Sequence, residues 1–212
     1  MISMIFSYIL LGVSLSAPVG PINVAQINKG IKNGFWSAWL VGVGAMSADI
    51  IMMLLIYFGV STYLTTPIAQ LCIWIFGFVT MLYLGYESIK DAPKQVQHSL
   101  TGEKEHPFKS FLSGFAIAIS NPLNIVFWIG IYGSVLTNAI NTIGKEQALW
   151  YSTAIFAGIM LWDLFMATSI HLGRRFVNRV VMKWISISAG IILIGFGIYF
   201  GYQAVLEIKH LL

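Results

Sequence analysis

Two short motifs of one type stand about a hundred residues apart, Gly20-Pro21-Ile22-Asn23 and Asn121-Pro122-Leu123-Asn124. Each sets Pro-x-Asn inside a long apolar run. Proline has no N–H and its ring clashes with the preceding turn, so each motif breaks a helix. In lipid the freed N–H and C=O groups find no water, and such a break survives only beside protein or a polar cavity. A pair of breaks in corresponding halves of a chain points to a transporter's binding site. Asn121 before Pro122 has the form of an N-cap followed by Pro at the first helical position, and Gly20 before Pro21 can play the same part. Each break then starts a half-helix whose free N–H groups and positive dipole end favour an anion, such as a substrate carboxylate. Asn23 and Asn124, two residues on, add amide donors and acceptors. The plainer alternative is a pair of packing kinks whose freed backbone the Asn side chains cap.

Two carboxylates complete the set. Asp49 and Asp163 are the acids deep in apolar segments; Glu87, Asp91, Glu103, Glu105, Glu146 and Glu207 lie in loops or near segment ends. An Asp at the centre of a membrane helix costs roughly 2.5–3.5 kcal/mol on insertion scales. Three roles would offset that cost: carrying a proton, holding a substrate ammonium, or donating a hydrogen bond that holds helices together. Gly42, Ala45 and Met46 share a helical face with Asp49, which suits close helix approach there.

The elements that must position these residues are membrane helices. The chain is 58% hydrophobic and 9% charged, with a mean hydropathy of +0.81; a soluble domain carries about 25% charge. Six apolar segments, at 2–30, 35–60, 67–90, 109–137, 147–173 and 181–206, each exceed the ~20 residues that cross a bilayer core. They lack the ~10-residue alternation of barrel strands, and the 20 glycines suit close helix packing in lipid. The net charge of +4 does not imply nucleic acid, because the basic residues sit at segment ends. Lys29, Lys32, Lys90, Lys94, Lys104, Lys109, Arg174, Arg175, Arg179 and Lys183 fall on one side, and Lys145 and Lys209 on the other. By the positive-inside rule the first side is cytoplasmic and both termini are outside. The first segment has no Lys or Arg before Lys29, unlike a cleaved signal peptide, and reads as mature protein. Residues 91–108 read as a polar cytoplasmic loop, and no second domain is expected.

The halves repeat. Gly44-x4-Asp49-x9-Gly59 matches Gly158-x4-Asp163-x9-Gly173 in spacing. Tyr83-Leu84-Gly85-Tyr86 matches Tyr199-Phe200-Gly201-Tyr202, and Gly12 with the first break matches Gly114 with the second. Three spans per half is odd, so the halves lie in opposite orientations, a common plan for secondary transporters. The expected fold is therefore all-α: six transmembrane helices in one domain, an inverted 3+3 repeat of 1–90 and 109–212, with the first and fourth helices discontinuous. At 1.5 Å per residue, Pro21 and Pro122 lie roughly 12 and 20 Å from the cytoplasmic charges Lys29 and Lys109, inside the bilayer core.

Other residue types narrow the chemistry. Trp36, Trp39, Trp150 and Trp184 lie near span ends, where indoles anchor. Phe127 and Trp128 follow the second break, where they could line a pocket, although core packing is the role expected first. The lone Cys72 excludes an internal disulfide, the four His show no metal-ligand spacing, and no phosphate loop is present. No cofactor or metal is expected, and ATP is not a direct fuel.

Ser16-Ala17-Pro18-Val19-Gly20-Pro21-Ile22-Asn23, followed by Asn28-Lys29-Gly30, resembles the amino-terminal signature of the lysine exporter and threonine/homoserine exporter superfamily. Gly42-x-Gly44-x4-Asp49 is similar to that family's next element, and Ser120-Asn121-Pro122 to the Asn-Pro motif of its second half. The likeness runs over nearly the whole chain. It implies a bacterial inner-membrane exporter of amino acids driven by an ion gradient, with an amino acid and protons as partners in the bilayer; a homo-oligomer is left open. Many members carry Lys after the Asn-Pro, where this chain has Leu123, so the relatives' substrate preference does not transfer. A cation or metal exporter using the two Asp as ligands is the alternative, although hard cations want more oxygen ligands. An intramembrane enzyme with an aspartate pair is a third, but the Gly-x-Gly-Asp signature of intramembrane aspartyl proteases is absent: residues 46–49 read Met-Ser-Ala-Asp and 160–163 Met-Leu-Trp-Asp.

Overall fold

The computed structural model describes residues 2–17, 20–59, 66–101 and 106–211, and among these every regular element is helical. The first span is α1 (Ile2–Ser16) and α2 (Pro21–Asn33), whose axes meet at 75°. Then follow α3 (Phe35–Tyr57) and α4 (Pro67–Thr101). The second half has α5 (Pro107–Ser120), α6 (Pro122–Phe127), a π-helical turn (Trp128–Tyr132) and α7 (Gly133–Ile143), then α8 (Lys145–Ser152), α9 (Ala154–Gly173) and α10 (Arg179–Leu211). Five described helices are long and apolar enough to cross a membrane, and the bent α1–α2 pair makes six.

Local chemistry sets the boundaries. Both breaks fall at the Pro-x-Asn motifs, with Pro21 and Pro122 at first helical positions. Pro18 and Val19 lie outside the described residues. Gly34 and Gly144 form the tight turns into α3 and α8 at φ of 95° and 86°, a left-handed region that glycine enters without steric cost. One expected boundary differs. The backbone of α4 runs on to Thr101, where the sequence suggests a loop from residue 91. Polar residues such as Lys, Gln and Glu are good helix formers once outside the apolar core, so a span need not stop where its hydropathy does.

Packing pairs the halves with each other. The most extensive helix contacts are α4 with α10, α3 with α5, and α1 with α9. Glycines matched by the repeat make two of these crossings. A Cβ on Gly12 would overlap the Ile155 carbonyl, and one on Gly158 the Ile9 carbonyl. Likewise a Cβ on Gly44 would overlap the Phe111 carbonyl, and one on Gly114 the Val41 carbonyl. Small residues allow this backbone approach, which is how helices gain packing energy in lipid. Two large apolar clusters fill the interior. One gathers Tyr8, Met53, Ile56, Trp128 and Tyr132, and another Val24, Val41, Met81, Ile117 and Phe200. A buried polar triad joins α2, α4 and α10: Asn28 Nδ2 donates to Ser88 Oγ (2.6 Å), Ser88 Oγ to the Ser186 carbonyl (2.9 Å), and Ser186 Oγ to Asn28 Oδ1 (3.0 Å).

Gly114→Val is expected to lower the melting temperature sharply or abolish recovery of folded protein, because overpacking costs about 1–3 kcal/mol and here the clash is with backbone. Gly195→Ala, with nothing within 4 Å of the added Cβ, is the neutral control. Thermal melts followed by circular dichroism in detergent compare the two.

Candidate functional site

The second break is capped as its residue types suggest. Asn121 adopts an extended backbone, and its Oδ1 accepts from Leu123 N at 3.1 Å, satisfying one free donor of the new helix. Gly20 is likewise extended, with no side chain to cap α2. Below each break the following Asn ties back to the preceding half-helix. Asn23 Nδ2 donates to the Ser16 carbonyl (3.1 Å), and Asn124 Nδ2 to the Ala118 carbonyl (3.3 Å).

The two breaks open on one cavity of about 200 Å³. Gly20, Pro21, Asn23, Asp49, Asn121, Asn124 and Asp163 all line it. The eighth residue singled out by the sequence, Pro122, does not. It is fully buried behind the cavity, where its ring faces Gly77 of α4. Apolar walls come from Leu15, Ile22, Leu123, Ile159 and Phe196 among others, and no Lys or Arg is among the described lining residues.

Each carboxylate is held by the opposite half of the chain. Asp49 Oδ1 on α3 accepts from Asn124 Nδ2 at 2.7 Å and from Trp128 Nε1 at 2.9 Å. Asp163 Oδ1 on α9 accepts from Gln26 Nε2 at 2.8 Å. Trp162 Nε1 donates to Asn23 Oδ1 at 3.3 Å. Asp49 and Asp163 are both buried, at 7% and 5% exposure, so these bonds offset hydration lost on burial. Gly42 leaves room for the second pair: a Cβ there would stand 2.5 Å from Asp163 Oδ2 and 2.7 Å from Gln26 Nε2.

Trp128 takes both of the roles weighed for it, packing in the core and lining the cavity beside Phe127, with its indole N–H donating to Asp49. Gln26 went unnoticed. Its amide lies one turn after Asn23 in an apolar stretch, a spacing that carries a polar side chain along the same helix face. Among the described residues no group of three or more His, Cys, Asp or Glu side chains gathers.

A family model for LysE type translocators matches residues 13–204. The chain belongs to the LysE type translocator family. It is 46% identical over 202 residues to the "Putative amino acid efflux protein YcgF" of Bacillus subtilis (strain 168), covering 95% of this chain and 97% of the relative. It is 24% identical over 199 residues to the "Chemotactic transduction protein ChpE" of Pseudomonas aeruginosa, covering 92% and 96%. No solved structure matches the chain. The translocator family and the apolar helices agree on a multi-pass membrane transporter for small molecules, and they point away from an enzyme.

Replacing Asn121 by Ala removes the cap on Leu123 N and is expected to cost about 1 kcal/mol. Asn121→Asp keeps an acceptor and should keep more of that stability. Denaturation midpoints of the two variants make the comparison.

Proposed function

We propose that this translocator exports an amino acid or a close derivative from the bacterial cytoplasm, with proton coupling at Asp49 and Asp163. The observation that carries the reading is the convergence of both helix breaks and both buried carboxylates on one cavity. The efflux role named for the Bacillus subtilis relative agrees with it. In this reading the substrate carboxylate meets the half-helix starts at Gly20-Pro21 and Asn121-Pro122 together with the amides of Asn23 and Asn124. The ammonium meets an aspartate, and the other aspartate carries the proton.

The packing supports an inverted repeat as the scaffold. Gly12 meets α9 at Ile155, three residues before Gly158, and Gly114 meets α3 at Val41, three residues before Gly44. The same register at both crossings is what a pseudo-two-fold axis relating the halves would produce. In this reading the protein sits in the bacterial inner membrane, and the positive-inside rule favours a cytoplasmic side for the α2 end, with Lys29 and Lys32, and for the Arg174–Arg175 turn. The helix ends near Tyr57 and Lys145, which meet at the opposite face, are then outside, with both chain termini.

Asp→Asn keeps shape and hydrogen bonding but removes titration. In proteoliposomes, gradient-driven efflux of labelled amino acids is expected to be lost in the Asp49→Asn, Asp163→Asn double variant with expression intact. Wild-type rates from that variant would exclude both proton and ammonium roles.

Substrate selectivity tests the anion site separately. With no Lys or Arg among the described residues lining the cavity, binding of the carboxylate rests in this reading on backbone N–H groups and on Asn23 and Asn124, whose amides would exchange their bonds to Ser16, Asp49 and Ala118 for the substrate. A hydrogen bond to a charged group is worth ~1.5–3 kcal/mol, so Asn23→Leu should weaken apparent affinity about tenfold or more. Decarboxylated amines should compete poorly. Export of such amines as fast as the parent amino acids would reject this site and favour a cation exporter.

A further inference from the structure

Each half-helix that leaves the cavity carries one side chain, a turn further on, that reaches across to the carboxylate of the other half. On α2 the order from the cavity is Asn23, then Gln26, then Lys29 at the basic end. Gln26 is fully buried and donates to Asp163, and its carbonyl oxygen has no partner among the described residues. After the second break the order is Asn124, then Trp128, then the apolar cluster that runs toward Ala139 and Ala148. Trp128 is 2% exposed and donates to Asp49. Its ring stacks on Phe156 at 6.0 Å and meets Tyr132 edge-on at 5.3 Å. The α2 half-helix runs from the cavity to the Gly34 turn at one end of α3, and the second broken span runs to Lys145 beside Tyr57 at the other, so Gln26 and Trp128 lie toward opposite ends of α3; Trp128 lines the cavity, and Gln26 stands behind Asp163, outside the lining.

We propose that Gln26 and Trp128 are paired gate residues, Gln26 closing the cavity toward the basic end of α2 and Trp128 toward the end where Tyr57 meets Lys145, with Asp163 and Asp49 as their latches. The inference rests on the transporter reading and names residues that reading does not use. Three physical features carry it. Each latch is a buried hydrogen bond to a carboxyl oxygen, strong enough to hold a side chain and weak enough to be exchanged for a substrate group. The indole and Asn124 both donate to Asp49 Oδ1, so a substrate ammonium or a proton arriving at this carboxyl draws charge from Oδ1 and weakens it as the acceptor that holds the plug on that side. Trp128 also opens a π-helical turn, Trp128–Tyr132. Such turns concentrate at functional sites, and returning one to α-helical register rotates the side chains that follow it. The inner gate differs: a Gln with an unpaired carbonyl has a lower cost of leaving its pocket than a stacked indole, because one of its polar atoms is unsatisfied while shut.

The test uses a cysteine reporter that needs no substrate, so absence of amino-acid flux would not affect it. Ser16 lines the cavity; Ser16→Cys in a Cys72→Ser background is labelled with a membrane-impermeant maleimide in right-side-out and inside-out vesicles. Trp128→Ala is expected to raise the labelling rate about tenfold from one face, and Gln26→Leu by a similar factor from the other, as loss of one hydrogen bond to a charged group implies. Trp128→Phe keeps an aromatic plug but no N–H, and should give a smaller rise from the same face as Trp128→Ala. Size-exclusion profiles check folding, and if Trp128→Ala is not recovered as a monodisperse protein, Trp128→Phe and Gln26→Leu decide the matter. Unchanged labelling in the folded variants, or increases from the same face for both positions, overturns the proposal.

Discussion

A helix broken inside a bilayer must hide its unpaired backbone in protein, and this constraint organises the whole molecule. Two breaks leave two sets of free N–H and C=O groups at membrane depth. Neither can face lipid, so both turn inward and meet. The cavity is the consequence, because two helix starts and their flanking carbonyls cannot pack as closely as continuous helices. Asn23 and Asn124 relieve part of the cost by bonding back to Ser16 and Ala118. Asn121 relieves another part through Leu123 N.

Buried charge follows the same logic. A carboxylate placed near such a cavity borrows its polar surroundings, and each of the two here accepts hydrogen bonds from the helix that continues the other half's break. The arrangement ties α3 to the second broken span and α9 to the first. Removing either set of bonds would therefore loosen the join between the halves.

Glycine sets how closely the halves approach. The crossings at Gly12 with α9 and at Gly114 with α3 bring backbone to backbone, with no room for a Cβ. Because no hydrophobic driving force separates helix from lipid, this packing and the buried Asn28–Ser88–Ser186 triad supply cohesion that burial supplies in a soluble protein.

Much of this was legible in the residues alone. Proline within apolar runs, an Asn two residues on, and lone acids at mid-span are local features, and their meaning in lipid follows from backbone chemistry without knowledge of any partner. They determined the helical class and the two breaks, and seven of the eight residues they singled out line the cavity. Tertiary structure alone decided the rest. Pro122 faces α4 because the direction of a broken helix depends on what packs behind it. Asp49 pairs with Trp128 and Asp163 with Gln26 across separations of 79 and 137 residues, and no local pattern encodes which donor reaches which acid. The length of α4 beyond its apolar stretch was equally hidden, since hydropathy reports where lipid ends and not where a helix does.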